Sequence, residues 1–197
     1  MVKFLFIRFS SIGDIVLTTP VIRCLKKQLG DAEIHFVVKK QFQQVLSANP
    51  YIHKIHTLDD NLYSLTNSLK NEHFDYIIDL HQNIRSLIIK SRLKIMSFSV
   101  NKINFKKWLM VNLKINRLPD KHLVDRYMET ITKFDIQNDN AGLDYFIPPD
   151  DEVNPESISS HYKNGYIAIV IGGKHTTKQT VSYTHLRAHE TSLHLVC

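Results

Sequence analysis

Residues 3–42 read KFLFIRFSSIGDIVLTTPVIRCLKKQLGDAEIHFVVKKQF, and the order of features in this stretch decides the architecture. An apolar run, Lys3–Arg8, gives way to a polar loop, Arg8-Phe9-Ser10-Ser11-Ile12-Gly13-Asp14. Val21, Cys24, Leu25 and Gln28 then recur at i, i+3, i+4 and i+7, which is one face of a helix, and Pro20 suits a first turn capped by Thr19. A second apolar run follows at Glu33–Val38. Two such runs joined through a helix form a βαβ unit, whose strands pair in parallel.

The same alternation continues outward. Lys54–Leu58, Tyr76–Leu80 and Ile95–Val100 have the β-branched and aromatic character of strands buried on both faces. Gln41–Ala48, Leu62–Leu69 and Leu123–Phe134 have helical patterns between and after them. The expected fold is α/β, a Rossmann-like open, mainly parallel sheet. From Asp135 to Asn164 the texture turns to Asn, Asp, Gly and Pro, and Tyr166–Ile171 is a fresh apolar strand ending in Gly172-Gly173. The expected organisation is a first domain over 1–150, a linker over 151–165, and the opening strand and loop of a second domain over 166–180.

Composition narrows the class. The 197 residues are 43% hydrophobic and 22% charged, as in ordinary globular proteins. No stretch approaches the ~20 apolar residues of a membrane helix, and Val2–Ile7 is too short for a signal-peptide core, so a cytoplasmic protein is expected. Two cysteines, Cys24 and Cys197, give neither a disulfide framework nor metal-ligand spacing. The formal charge of +6 is unevenly placed: Ile84 to Arg117 holds nine Lys and Arg and no Asp or Glu. Phe105, Trp108, Leu109 and Leu113 recur at helical spacing among those lysines. Such a segment suits an anionic membrane surface, a phosphorylated substrate or nucleic acid, and equally a packed helix with a solvated basic face.

The loop after the first strand sits where open α/β sheets bind ligands, outside the carboxyl ends of the strands. Ser10 and Ser11 offer hydroxyls, Gly13 allows a tight turn or close backbone approach, and the next helix offers free N–H groups. Asp14 is a candidate general base, and equally a helix-start carboxylate favoured by the macrodipole. The loop is neither a G-x-G-x-x-G nor a G-x-x-x-x-G-K-[ST] phosphate loop.

The ordered set of motifs resembles the heptosyltransferase family, glycosyltransferase family 9. It comprises Ser10-Ser11-Ile12-Gly13-Asp14 with Thr18-Thr19-Pro20, Asn49-Pro50-Tyr51-Ile52, Phe74-Asp75-Tyr76-Ile77-Ile78-Asp79-Leu80-His81 with Arg85-Ser86, His122-Leu123-Val124-Asp125-Arg126-Tyr127, and Tyr166 through Lys178. The resemblance implies a two-domain GT-B enzyme whose first half binds the acceptor and whose second half binds a nucleotide sugar, typically ADP-heptose. It implies inverting transfer to a lipopolysaccharide inner-core acceptor, with no metal and no cofactor. Asp14 takes the place of the base; Arg85, just past the carboxyl end of a predicted central strand, and Ser10, Ser11 and Gly13 in the first loop are the candidate acceptor contacts. Thr176, Thr177 and Lys178 take the place of the donor-phosphate contacts. The partners expected are an anionic glycolipid of the lipid A and inner-core type, the nucleotide sugar, and the inner face of the cytoplasmic membrane, without nucleic acid.

Residues 181–197, VSYTHLRAHETSLHLVC, lack a hydrophobic period, and SYTHLRAHET resembles the translation of a sequencing-library adapter joined to a truncated gene. His185 and His189, four apart, are therefore not taken as metal ligands. The expectation is that the parent is an enzyme and this 197-residue chain is inactive. Two alternatives stay open at this point: a basic α/β nucleic-acid-binding domain, and a family relative that uses another sugar or lacks catalysis.

Overall fold

The computed structural model describes residues 1–101, 110–115, 121–154 and 157. The chain divides into two units, Met1–Asp151 and Glu152–Cys197; the elements below belong to the first. Five parallel strands form one sheet in the order β3-β2-β1-β4-β5: β1 Val2–Ile7, β2 Ala32–Lys39, β3 Lys54–Leu58, β4 Tyr76–Asp79 and β5 Met96–Ser99. Helices among the described residues include α1 Ile12–Val16, α2 Thr19–Gln28, α3 Leu62–Lys70, α4 Ile84–Leu93 and α5 Leu123–Met128.

β1 lies at the centre, and its alternation feeds two cores. Phe4 and Phe6 face Val21, Ile22 and Leu25 of α2 and Tyr127 of α5, while Leu5 and Ile7 face Leu65 and Leu69 of α3 and Ile89 of α4. All four β1 side chains are fully buried. At about 25 cal/mol per Å² of apolar surface removed from water, such two-sided burial is the main stabilising term. Phe134 closes the first core, edge-on to Phe4, Tyr76 and Phe98.

Three helical expectations change. Ile12–Val16 folds as a separate short helix, and the cap of α2 is Thr18 rather than Thr19. The Thr18 and Thr19 hydroxyls donate back to the Ile15 and Val16 carbonyls at 2.7 and 2.8 Å, which joins the two helices through a tight corner. Lys40–Val45, expected as part of a helix over Gln41–Ala48, is a 3₁₀ segment. It lacks any buried residue to hold a longer α-helix against the core. The helix expected over Leu123–Phe134 ends at Met128, because the Thr130 and Ile131 N–H groups turn to carbonyls three residues back, and the Thr130 hydroxyl takes the Tyr127 carbonyl at 2.6 Å. The helical spacing of Phe105, Trp108 and Leu109 lies outside the described residues.

The polar segment after Asp135 is pinned to the first unit. Arg23, 2% exposed, pairs through its guanidinium with Asp139 at 2.7 Å and with Asp144, and donates to the Gly142 carbonyl at 2.9 Å. Gln28 exchanges two hydrogen bonds with the Gln137 backbone. The Arg23 guanidinium holds the Asp139 carboxyl well below the usual carboxylate range.

On the α3 face a second polar group is buried. His35 Nε2 lies 2.7 Å from Glu33 Oε1, and His35 Nδ1 lies 2.9 Å from His56 Nε2. Burial, then the neighbouring His35, pushes the His56 imidazole down to about 4, and burial likewise lowers His35.

Two outcomes follow for stability. Arg23→Ala leaves two carboxylates facing a hole in α2 and is expected to cost roughly 2–4 kcal/mol, measured by urea unfolding; a loss below about 0.5 kcal/mol would mean that the clamp is ornamental. A histidine with a depressed folded pKa stabilises fully above its unfolded value of 6.5, and that contribution is lost as pH falls toward the folded value. With a chelator present, the first unit should lose about 2 kcal/mol between pH 7.5 and 5 from His56. In His56→Asn that part of the pH slope should vanish.

Candidate active site

β1 and β4 are neighbours whose crossovers leave to opposite faces, α2 packing in one core and α4 in the other. The loops after these two strands therefore splay apart at their carboxyl ends and open a crevice at the switch point. One wall is Arg8–Asp14, and the other is Leu80–Arg85.

Arg8 ties the walls together. Its Nε donates to the Ser10 carbonyl at 2.7 Å and one terminal nitrogen to the Leu80 carbonyl at 2.6 Å, while the other pairs with Asp14 Oδ2 at 2.6 Å. Beneath it lies the Tyr127 ring, 5.9 Å from the guanidinium carbon. The Tyr127 hydroxyl is buried without a hydrogen-bond partner among the described residues, and burial pushes it up to about 12.

Asp14 stands on the third residue of α1, with its side chain about one-third exposed. The Ser11 hydroxyl donates to Oδ2 at 3.0 Å and the Ser11 N–H at 3.4 Å. Both readings of this residue therefore describe the same carboxylate: it caps the first turn of α1 and still presents itself to solvent. Partial burial raises its pKa, but the Arg8 charge and the bonds from Ser11 and Arg8 outweigh that and hold it below the usual carboxylate range. It is ionised at neutral pH.

The second wall is held from inside. Asp79, fully buried at the end of β4, accepts from the His81 and Gln82 N–H groups at 3.1 and 2.7 Å and from the Ser86 hydroxyl at 2.8 Å. Lys90 Nζ reaches Oδ2, the oxygen that also accepts from Ser86, at 2.8 Å. Asn83 and Ser86 cap α4 reciprocally, each accepting the other's backbone N–H at 2.9 Å. Lys90, counted above in the basic stretch, is thus an internal counter-ion, and Arg92 lies over the Tyr63 ring at 4.8 Å.

Arg85 is exposed one residue into α4. It borders a cleft of about 750 Å³ whose other lining includes Lys39, Lys40, Gln41, Asp59 and Asp60. Asp14 is not among the lining residues, so Arg85 and Asp14 share the carboxyl edge of the sheet but not one pocket. Gly13 is not fixed by its local geometry. It does not have a positive φ, and a Cβ there would meet nothing within 4 Å, so neither turn geometry nor packing demands glycine. Ser10 contributes its carbonyl to Arg8, and Ser11 its hydroxyl to Asp14. Thr176, Thr177 and Lys178 lie outside the described residues.

No family model matches the chain. It is 28% identical over 158 residues to lipopolysaccharide heptosyltransferase 1 of Campylobacter coli, covering 75% of this chain and 44% of that protein. The glycosyl transferase family 9 structure from Veillonella parvula superposes with a TM-score of 0.59 at 22% identity, covering 75% of this chain and 46% of that one. Escherichia coli heptosyltransferase WaaC, solved with ADP, gives 0.57 at 18% identity over 74% of this chain and 51% of its own.

Over about three quarters of its length the chain is similar to glycosyltransferase family 9 heptosyltransferases.

It spans about half the length of these proteins. Within that relationship, the residues that sequence reasoning passed over are Arg8, Asp79, Lys90 and Tyr127. Arg8 was visible as the one charge ending an apolar strand, and Asp79 as a carboxylate inside the IIDL run.

The Arg8–Asp14 pair makes a direct test. Removing the guanidinium in Arg8→Met leaves burial opposed only by the Ser11 hydrogen bonds at Asp14. The Asp14 carboxyl titration, followed by carbon NMR, should move upward. An unchanged midpoint would show that the pair does not govern this carboxyl.

Proposed function

We propose that the complete protein transfers a heptose from ADP-heptose to a lipopolysaccharide inner-core acceptor, with inversion, and that Asp14 is the general base. The observation carrying this reading is the ionised, solvent-facing Asp14 carboxylate at the switch point of a sheet related to the heptosyltransferases. The acceptor hydroxyl oxygen attacks the anomeric carbon while the bond from that carbon to the diphosphate breaks on the opposite side. The hydroxyl proton passes to the free edge of Asp14 as the new bond forms.

Arg8 and Ser11 aim that edge and cost it some basicity, so proton transfer runs late along the reaction path. Thr176, Thr177 and Lys178 are assigned to the departing diphosphate, whose developing charge calls for cationic and N–H partners. The transfer step needs neither metal nor cofactor in this scheme. The acceptor is an anionic glycolipid, and Arg85, Lys39 and Lys40 along the 750 Å³ cleft would meet its negative groups. Among the described residues no helix is long and apolar enough to cross a membrane. Docking on the inner face of the cytoplasmic membrane is assigned to the basic stretch, where exposed Ile84 and Leu87 stand beside Arg85.

In the complete enzyme, Asp14→Asn should lower kcat by ~10²-fold or more and leave the dissociation constant for ADP-heptose within about twofold, since the substitution retains the shape of the side chain. Near-normal turnover in that variant would remove Asp14 from the mechanism.

A further inference from the structure

On the α3 face of the sheet, three ligating side chains converge outside the residues assigned to the transfer reaction. His35 on β2, His56 on β3 and Glu72 just past α3 each place one ligand atom within 4.8 Å of the other two. His35 and His56 are 1% and 7% exposed, while Glu72 is half-buried. We propose that His35, His56 and Glu72 form a binding site for a zinc-class divalent transition-metal ion that clips β2, β3 and the α3–β4 connection together.

The donor set carries the assignment. Two imidazoles and a carboxylate are the ligands that zinc and its neighbours favour, whereas calcium and magnesium demand all-oxygen shells. Glu33 supplies the outer partner such sites use: its Oε1 lies 2.7 Å from His35 Nε2, so His35 keeps its proton there and turns the bare Nδ1 inward. His56 Nε2 faces that nitrogen at 2.9 Å, and the ring centroids are 5.2 Å apart with 20° between the planes. These values put the nitrogens edge to edge, with a proton of His56 bridging them.

Zinc bonds of about 2.0–2.1 Å at tetrahedral angles would separate the two nitrogens by about 3.3 Å. Reaching that needs a few tenths of an ångström and a turn about the soft terminal torsion of His56. The ion takes the place of the bridging proton, which passes through solvent from His56 Nε2 to His56 Nδ1, so both imidazoles stay neutral. Lys54 now occupies Glu72 at 2.5 Å, but its side chain is 53% exposed and can swing into water when the ion arrives. A hollow of about 320 Å³ lined by His56, Asn61, Ser64 and Ser68 opens beside the site and gives an entry path. Water completes the four ligands.

The test uses the full chain, stripped with chelator and without an affinity tag. Zinc is titrated with a competing chromophoric chelator, cobalt is added for its tetrahedral d–d spectrum, and melting is followed at each zinc level. The expected result is one tight equivalent, a Tm that climbs with zinc concentration, and a tetrahedral cobalt spectrum. Glu72→Gln, which keeps an acceptor for Lys54, should weaken zinc at least tenfold, and His56→Gln should abolish the cobalt spectrum. Equal zinc affinity in parent and Glu72→Gln would place binding on other histidines, His185 and His189 included, and overturn the proposal. Absence of any tight equivalent in the parent would do the same. Calcium and magnesium at millimolar levels should leave Tm unmoved, and a rise with either would contradict the donor-set argument.

Discussion

A parallel sheet makes its ligand crevice by sending adjacent strands' connections in opposite directions, which leaves two loops at its carboxyl edge with little to hold them. Arg8 supplies the missing restraint. Its five donors reach the carbonyl of Ser10 on one loop, the carbonyl of Leu80 on the other, and the Asp14 carboxylate between them. A planar, permanently charged fork can satisfy three acceptors at fixed angles, which a lysine ammonium could not do with the same geometry. Asp14, the Leu80 carbonyl and the Tyr127 ring all meet that one side chain.

Charge elsewhere in the unit is handled by the same rule: where it is buried, it is paired and hydrogen-bonded. Asp79 is wholly buried yet meets two N–H groups, a hydroxyl and an ammonium, and Arg23 meets two carboxylates and a carbonyl. Such arrangements add little net stability compared with well-packed apolar residues. What they provide here is position. Asp79 sets the path of residues 81–83 into α4, and Arg23 draws the Asp139–Asp144 segment onto α2. The crevice has rigid walls because each wall is anchored from below by a matched ion.

The central strands β1, β2 and β4 were legible because burial on both faces forces continuous apolar runs, and the edge strands β3 and β5, only partly buried, also lie within one or two residues of their expected bounds; the strand expected over Tyr166–Ile171 lies outside the described residues. Asp14 was legible as a carboxylate following the first strand, since the sequence places it in the right loop. Its partner was not, because an arginine ending a strand carries no periodic signal and its three acceptors include carbonyls that sequence does not label. The short helices failed for a related reason. Thr18, Thr19, Thr130 and Thr132 donate to nearby carbonyls, and such local bonds break a helix without disturbing its apolar spacing. Lys90 read as surface charge because its position in a basic run conceals that it faces a buried Asp.

The placement of β1 also governs the order in which the sheet can assemble. Its partner β2 follows after one helix, but β4, the neighbour on its other side, joins it across a sequence gap such as the 72 residues separating Lys3 from Asp75. Until β4 is synthesised, one edge of the most apolar strand in the unit has no backbone partner. Parallel pairing of this kind adds non-local contacts that slow folding and lengthen the time an open edge is exposed. A nascent chain caught between β3 and β4 is therefore the species most exposed to aggregation and most in need of a chaperone.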